Sequence, residues 1–272
     1  MSRERVEFLD VPVLSLAPDP LTPGEVGSRS TFLSRDPDSG AQTRFVQVAP
    51  YWHWQPSEPL GNDLEILVLE GSVSVDDWEM GRGAYLHLSA GTQFQRLTTT
   101  EPCAFLWMIN PVAGDAGKTA PEYIPNINEV PWVPVPDFEG RPASEVGDGL
   151  RYKMLRQDPV TSAYTLVSHM AADWFDPRLE AHETWEELVL LEGDFLMGVA
   201  GRVTGGTYIF RSGEKPHGPQ ATRTGAVWFA RGEKQIDFDF SESVVAKTQT
   251  ELYMAADDMS ATTNLQPWGS WT

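Results

Sequence analysis

The sequence predicts an all-β protein built as two tandem β-sandwich or barrel domains, and three observations carry that expectation. Short runs rich in Val, Ile, Leu, Tyr and Phe recur between clusters of Gly, Pro and Asp. Examples are TRFVQVAP (43–50), LEILVLEGSVSV (64–75), AYLHL (84–88) and CAFLWMI (103–109), the pattern of short antiparallel strands joined by turns. Helical periodicity is hard to find among them. The chain also repeats itself: DLEILVLEGSV (63–73) aligns with WEELVLLEGDF (185–195), and GAYLHLSAGTQF (83–94) with GTYIFRSGEKPH (206–217), neither segment needing a gap.

Taken in order, residues 1–40 form an N-terminal arm carrying Pro12, Pro18, Pro20, Pro23 and Pro37. Proline fixes φ and removes a backbone donor, so the arm is expected to wrap a surface or donate an edge strand rather than to form a helix. Residues 41–113 hold the first copy of the repeat. Residues 114–160 are a Pro-rich connector in which Tyr123, Trp132 and Phe138 favour docking over free flexibility. The second copy occupies 161–243, running from AYTLVSHM (163–170) through the repeated segments to AVWFARG (226–232) and IDFDFS (236–241). An aromatic tail, 244–272, ends in QPWGSWT. Sheet edges in such domains need covering, which the arm and tail could supply within the chain or across subunits; a homodimer is the expected assembly.

Composition narrows the function classes. Twenty Lys plus Arg stand against 39 Asp plus Glu, a formal charge of −19, which argues against nucleic acid and anionic membrane as partners and leaves a small-molecule substrate or ligand. The single Cys103 excludes an intramolecular disulfide framework and reads as a buried thiol. The N-terminus lacks an apolar stretch of signal-peptide length, and no run approaches the ~20 apolar residues of a membrane span. A cytoplasmic protein is the expectation.

The chemistry concentrates in EAHETWEELVLLEG (180–193) and GGTYIFRSGEKPHGP (205–219). Three residues separate His182 from Glu186, and Gly193 follows Glu186 after six more; Gly206 leads through five residues to Ser212, with His217 five positions beyond. Two imidazoles and one carboxylate from two strand-like segments make a candidate metal site. Such a trio leaves coordination positions open and suits catalytic zinc as well as non-heme iron(II).

These stretches resemble the two motifs of the cupin superfamily at His182, Glu186, Gly193, Gly206 and His217. They depart from it where Glu180 stands for the first histidine, Trp174 for the leading glycine, Ser212 and Glu214 for proline and glycine, and Ala221 for asparagine. In the first copy, Leu60, Leu64 and Phe94 take the places of His182, Glu186 and His217. The resemblance implies two tandem cupin jelly rolls, the first without a metal site and the second holding a divalent ion, Fe(II) favoured over Zn, Mn or Ni. It further implies an oxidoreductase of the cupin dioxygenase type acting on a small enolisable or aromatic molecule. The alternatives are a ligand- or metal-sensing cupin without turnover, as in cupins fused to anti-sigma factors, and a cupin isomerase or lyase acting on a sugar or keto acid.

Glu180 is the candidate catalytic group, open between fourth ligand, hydrogen-bond acceptor behind the ligands, and general base. Trp174, Trp185, Tyr208 and Phe210 are expected to line the substrate pocket. Arg211, Lys215 and Arg223 are candidates to hold a substrate carboxylate but read first as exposed salt-bridging residues, Glu187 reads as a solvated strand residue, and His53, His87 and His169 read as structural.

Overall fold

The computed structural model describes residues 3–18, 27–111, 120–135, 137–138, 141–142, 149–198, 201–213, 215–234, 239–242, 246–256 and 263–272. Glu214, the side chain of Phe138 and the first half of the strand expected over 236–241 lie outside them. Among the described residues the regular structure is almost all strand. In order it forms β1 (Val6–Asp10), β2 (Ser28–Arg35), β3 (Gln42–Val48), β4 (Asp63–Glu70), β5 (Ser72–Val75), β6 (Trp78–Gly81), β7 (Tyr85–Leu88) and β8 (Cys103–Asn110). There follow β9 (Leu150–Gln157), β10 (Tyr164–Met170), β11 (Arg178–Ala181), β12 (Glu186–Met197), β13 (Arg202–Thr204), β14 (Thr207–Arg211), β15 (Gln220–Ala221), β16 (Ala226–Gly232) and β17 (Asp239–Glu242). One helix, α1 (Gln249–Ala255), interrupts the tail, where the sequence gives no helical expectation. No helix among the described residues is long and apolar enough to cross a membrane.

Two compact units divide the chain, Met1–Glu4 with Leu14–Val130, and Arg5–Val13 with Pro131–Thr272. In the first, β7, β4, β8, β3 and β2 lie side by side in a seven-stranded sheet, and β5 and β6 belong to a four-stranded one. Alternate residues point inward. Leu64, Ile66 and Val68 of β4 therefore meet Val73, Val75 and Met80 of the smaller sheet in one core, together with Phe94 and Trp107. Trp54 packs edge-on against Phe94 and Trp107 at 5.7 and 5.8 Å.

In the second unit β1, β14, β12, β16, β10 and β9 run in that order. The arm thus supplies an edge strand, with Leu9 opposite Tyr208. β9 falls inside the span read as connector. Its sequence, LRYKMLRQ, hides a buried strand because Lys153, 1% exposed, is charged, and its ammonium sits 4.1 Å from the Trp132 ring.

β12 organises this unit. Its first half pairs with β14 and β16, a bulge falls between Leu190 and Glu192, and its second half pairs with β13 and β15. The bend is made at Gly193, at φ +97°, where a Cβ would stand 1.8 Å from the Gly225 carbonyl oxygen. Gly71, its partner in the repeat, has φ +69° and would place a Cβ 2.0 Å from the Pro102 carbonyl oxygen. The inward face carries Leu188, Leu190, Phe195, Ile209 and Trp228, with Phe195 and Trp228 perpendicular at 5.3 Å.

On the opposite strand face Glu187 is 2% exposed rather than solvated. Tyr208 Oη donates to its Oε1 at 2.5 Å and Arg231 Nη1 to its Oε2 at 2.6 Å. The aligned pair in the first unit is Glu65, which accepts from Tyr85 Oη at 2.6 Å. A buried carboxylate is tolerable only when paired in this way. The sequence signal was present, a Tyr three residues into each GAY or GTY segment aligned as strictly as the Glu.

Asp194, just past the bend, ties the far side of the unit together. It is fully buried and accepts from the Thr224 amide at 2.8 Å, the Thr224 hydroxyl at 2.6 Å and the Tyr253 hydroxyl of α1 at 2.7 Å. Burial pushes its carboxyl upward, but these donors outweigh burial and hold it below the usual value. The tail docks on the same unit: Trp271 is 1% exposed and its amide donates to Glu192 at 2.7 Å.

Gly193→Ala is expected to cost at least about 2 kcal/mol through a disfavoured φ and a backbone clash, read from urea unfolding. Because the folded pKa of Asp194 is depressed, its contribution is present above the unfolded carboxyl range and lost as pH falls through the folded value. Asp194→Asn should therefore lower stability by about 1–3 kcal/mol at neutral pH and narrow its gap to wild type in acid, measured by chemical unfolding across pH.

Candidate metal centre

His182, Glu186 and His217 converge in the second unit, with one ligand atom from each lying within 4.8 Å of the others. Glu186 opens β12 on its inward face. His182 sits in the short connection after β11. His217 is placed by a backbone bridge in which the His217 and Glu180 amides each donate to the other's carbonyl at 2.9 Å. The two imidazole rings stand 5.3 Å apart and nearly perpendicular.

Each ring is oriented from behind. His182 Nδ1 donates to the Thr184 carbonyl at 2.7 Å and His217 Nδ1 to the Lys215 carbonyl at 3.2 Å. With Nδ1 carrying the proton, Nε2 presents its lone pair toward the cluster, the tautomer that metal ligation requires. His182 Nε2 lies 3.7 Å from Glu186 Oε2. His217 Nε2 lies 2.8 Å from Glu180 Oε1 but outside hydrogen-bonding angle, so the contact is electrostatic. Two imidazoles presenting Nε2 and one carboxylate are a donor set that divalent zinc or iron accepts. The residues present therefore fit a divalent metal.

Charge coupling within the cluster is strong. Burial pushes the His182 imidazolium downward, but the adjacent Glu186 carboxylate outweighs it and leaves its pKa above the ordinary value. Burial likewise pushes Glu186 upward, and His182, His217 and Arg211 together hold it below the ordinary range. Arg211 is 2% exposed rather than a surface residue. It pairs with Glu186 across β14 and β12, and its side chain reaches Glu7 of β1 at 3.2 Å.

A cavity of about 510 Å³ opens beside the trio within the second unit, inside the size range of small-molecule sites. Glu180, Glu186, Gln220 and Tyr164 line it along with Trp174, Leu188, Phe195 and Trp228. Gln220 Nε2 donates to Glu180 Oε1 at 2.5 Å and fixes that carboxylate. Of the aromatic residues expected to line a pocket, Trp174 does. Trp185, Tyr208 and Phe210 do not line this cavity: Tyr208 and Phe210 lie on the Glu187 face of the sheet, and Trp185 packs on Phe210 at 5.8 Å. Proximity in sequence to the motif missed the two-residue alternation that sorts these side chains. Gln220 and Tyr164 carried no motif signal and emerge only from strand pairing.

Metal uptake requires a neutral His182. Because protons compete with the ion for its Nε2, apparent metal affinity should fall as pH drops through the histidine range, followed by equilibrium dialysis against Zn(II) or Co(II).

The profile of a family described as "Domain of unknown function (DUF4437)" matches residues 16–238. No match to a curated protein was found. Among solved structures, the chain is similar to a proposed dioxygenase from Nostoc punctiforme PCC 73102, with TM-score 0.69, 18% identity, and 90% of this chain and 88% of that one covered. It is also similar to a cupin 2 conserved barrel domain protein from Leptotrichia buccalis, with TM-score 0.55, 11% identity and coverage of 84% and 96%. A point mutant of Bacillus subtilis oxalate decarboxylase aligns with TM-score 0.51, 10% identity and coverage of 87% and 79%. At these identities the likeness establishes the fold, which is that of the cupins.

Proposed function

This chain belongs to the DUF4437 family, and we propose that it is a metal-dependent two-barrel cupin of the dioxygenase type acting on a small enolisable or aromatic molecule. The observation that carries the reading is the convergence of His182, Glu186 and His217 beside a largely apolar cavity. In this reading the first barrel, 41–113, is the structural copy. Leu64 and Phe94 stand in its core, with Leu60 packed against it, where the second barrel, 161–243, has its polar trio.

His182, Glu186 and His217 would hold a divalent ion, Fe(II) in preference to Zn, Mn or Ni, since two histidines and one carboxylate with open positions suit non-heme iron. Such an ion supplies Lewis acidity and, as iron, a redox centre for dioxygen. The chain's own groups do the rest. Trp174, Leu188, Phe195 and Trp228 enclose the carbon skeleton of the substrate and exclude water. Glu180, held by Gln220, offers Oε1 as the acceptor for a proton leaving an enol or phenol oxygen. Arg211 offsets the charge that Glu186 brings into the interior.

Elemental analysis of protein purified without a His tag tests this directly. Near-stoichiometric metal in wild type, reduced at least about tenfold in His182→Ala and His217→Ala, is the expected result. Wild type that stays metal-free after anaerobic loading with Fe(II), Mn(II), Ni(II) and Zn(II) would sink it. Oxygen-electrode assays on the iron-loaded protein with enolic and phenolic compounds then address the reaction class.

A further inference from the structure

We propose that Tyr164 orients the cavity's occupant, its hydroxyl donating a hydrogen bond to an oxygen of a neutral phenolic or enolic ligand that lies against the His182, Glu186 and His217 cluster. The inference rests on the proposed small-molecule reading of that cavity and names both the group that recognises the ligand and the ligand's polar end.

Tyr164 is 7% exposed and lines the cavity, and its hydroxyl makes no hydrogen bond among the described residues. A buried hydroxyl left without a partner gives up its hydration with nothing in return, so such exceptions want an explanation. The other buried tyrosines among the described residues, Tyr85 and Tyr208, both spend their hydroxyls on buried glutamates.

Strand register brings the hydroxyl to the centre. Tyr164 of β10 and Glu186 of β12 are both paired with Gly232 of β16, one on each side, and Arg211 of β14 continues the row beyond Glu186. Gly232 is the gap in that row. A Cβ there would stand 2.5 Å from Tyr164 Cε1 and 2.8 Å from its hydroxyl oxygen, so the phenol lies across bare backbone toward Glu186. Glu186 and Glu180 are the charges that act on this hydroxyl.

The same surroundings define the ligand. Leu150, Leu166, Met170, Trp174, Phe195 and Trp228 wall the cavity with flat and branched apolar surface. Glu180 and Glu186 at its polar end would repel a carboxylate but accept from an O–H group. A neutral ring or enol bearing hydroxyl oxygen satisfies both, donating to Glu180 while accepting from Tyr164.

The test uses catechol, which is uncharged at neutral pH, as probe, with affinity measured by calorimetry on metal-free and Zn(II)-loaded protein, alongside metal content and thermal unfolding. Tyr164→Phe is expected to weaken probe binding about five- to tenfold in both forms, with metal content unchanged and an unfolding midpoint equal to or above wild type, because the lost hydroxyl had no protein partner. Gly232→Ala, which displaces the ring, should weaken the probe similarly. Wild-type probe affinity in Tyr164→Phe overturns the proposal, as does a lowered midpoint with unchanged affinity, which assigns Tyr164 to packing, or failure of wild type to bind the probe in either form. A His182→Ala protein that retains metal would instead refute the metal-dependent reading, and the metal-free comparison of Tyr164→Phe with wild type still decides the role of Tyr164.

Discussion

The side-chain alternation of β12 is the constraint on which the second unit depends. Glu186 and Glu187 are neighbours in sequence, and a strand sends neighbours to opposite faces. Glu186 consequently faces the two imidazoles and the cavity, whereas Glu187 is buried on the other side against Tyr208 and Arg231. A slip of one residue would turn every side chain of the strand to the other face, taking Glu186 away from the imidazoles and breaking the pairing of Glu187 with Tyr208 and Arg231. The bulge before Glu192 and the bend at Gly193 hold the register, since only glycine fits against the Gly225 carbonyl.

Two ways of burying charge coexist in this unit. The Glu187 pair is closed: both carboxylate oxygens accept from protein donors, and nothing else is needed. The inner cluster is open. Its histidines are anchored through Nδ1, its carboxylates Glu180 and Glu186 face them, and the Tyr164 hydroxyl stands nearby without a protein partner among the described residues. Closed networks stabilise a fold, and open ones leave valences for something that is not protein. In the first unit Leu64, Phe94 and Trp107 pack together, and its buried Glu65 is satisfied by Tyr85 and Asn110.

Stability and site share their supports. Asp194 anchors α1 and the 222–224 turn immediately beyond the bend in β12, and the C-terminal tail returns to Glu192 on the same strand. The bend is thereby held by hydrogen bonds a few residues from Gln220, which in turn holds Glu180. The arm acts from the other edge, where β1 covers β14 and Glu7 meets the guanidinium of Arg211.

The all-β class was legible in the sequence because strands announce themselves through composition, turn residues and repetition, and those are local properties. The trio His182, Glu186 and His217 was legible because its spacing resembles the two cupin motifs, although His182 and His217 lie just outside the strands, in the connection after β11 and at the bridge to Glu180. What tertiary structure alone decided depends on pairing between strands distant in sequence. The burial of Arg211, Lys153 and Glu187 was invisible because charged residues read as solvated until their partners are known. The exclusion of Tyr208 and Phe210 from the cavity required the phase of β14 relative to β12, and Trp185 followed Phe210. Tyr164 lies in register with Glu186 across Gly232, a relation among three strands that no single stretch of sequence contains.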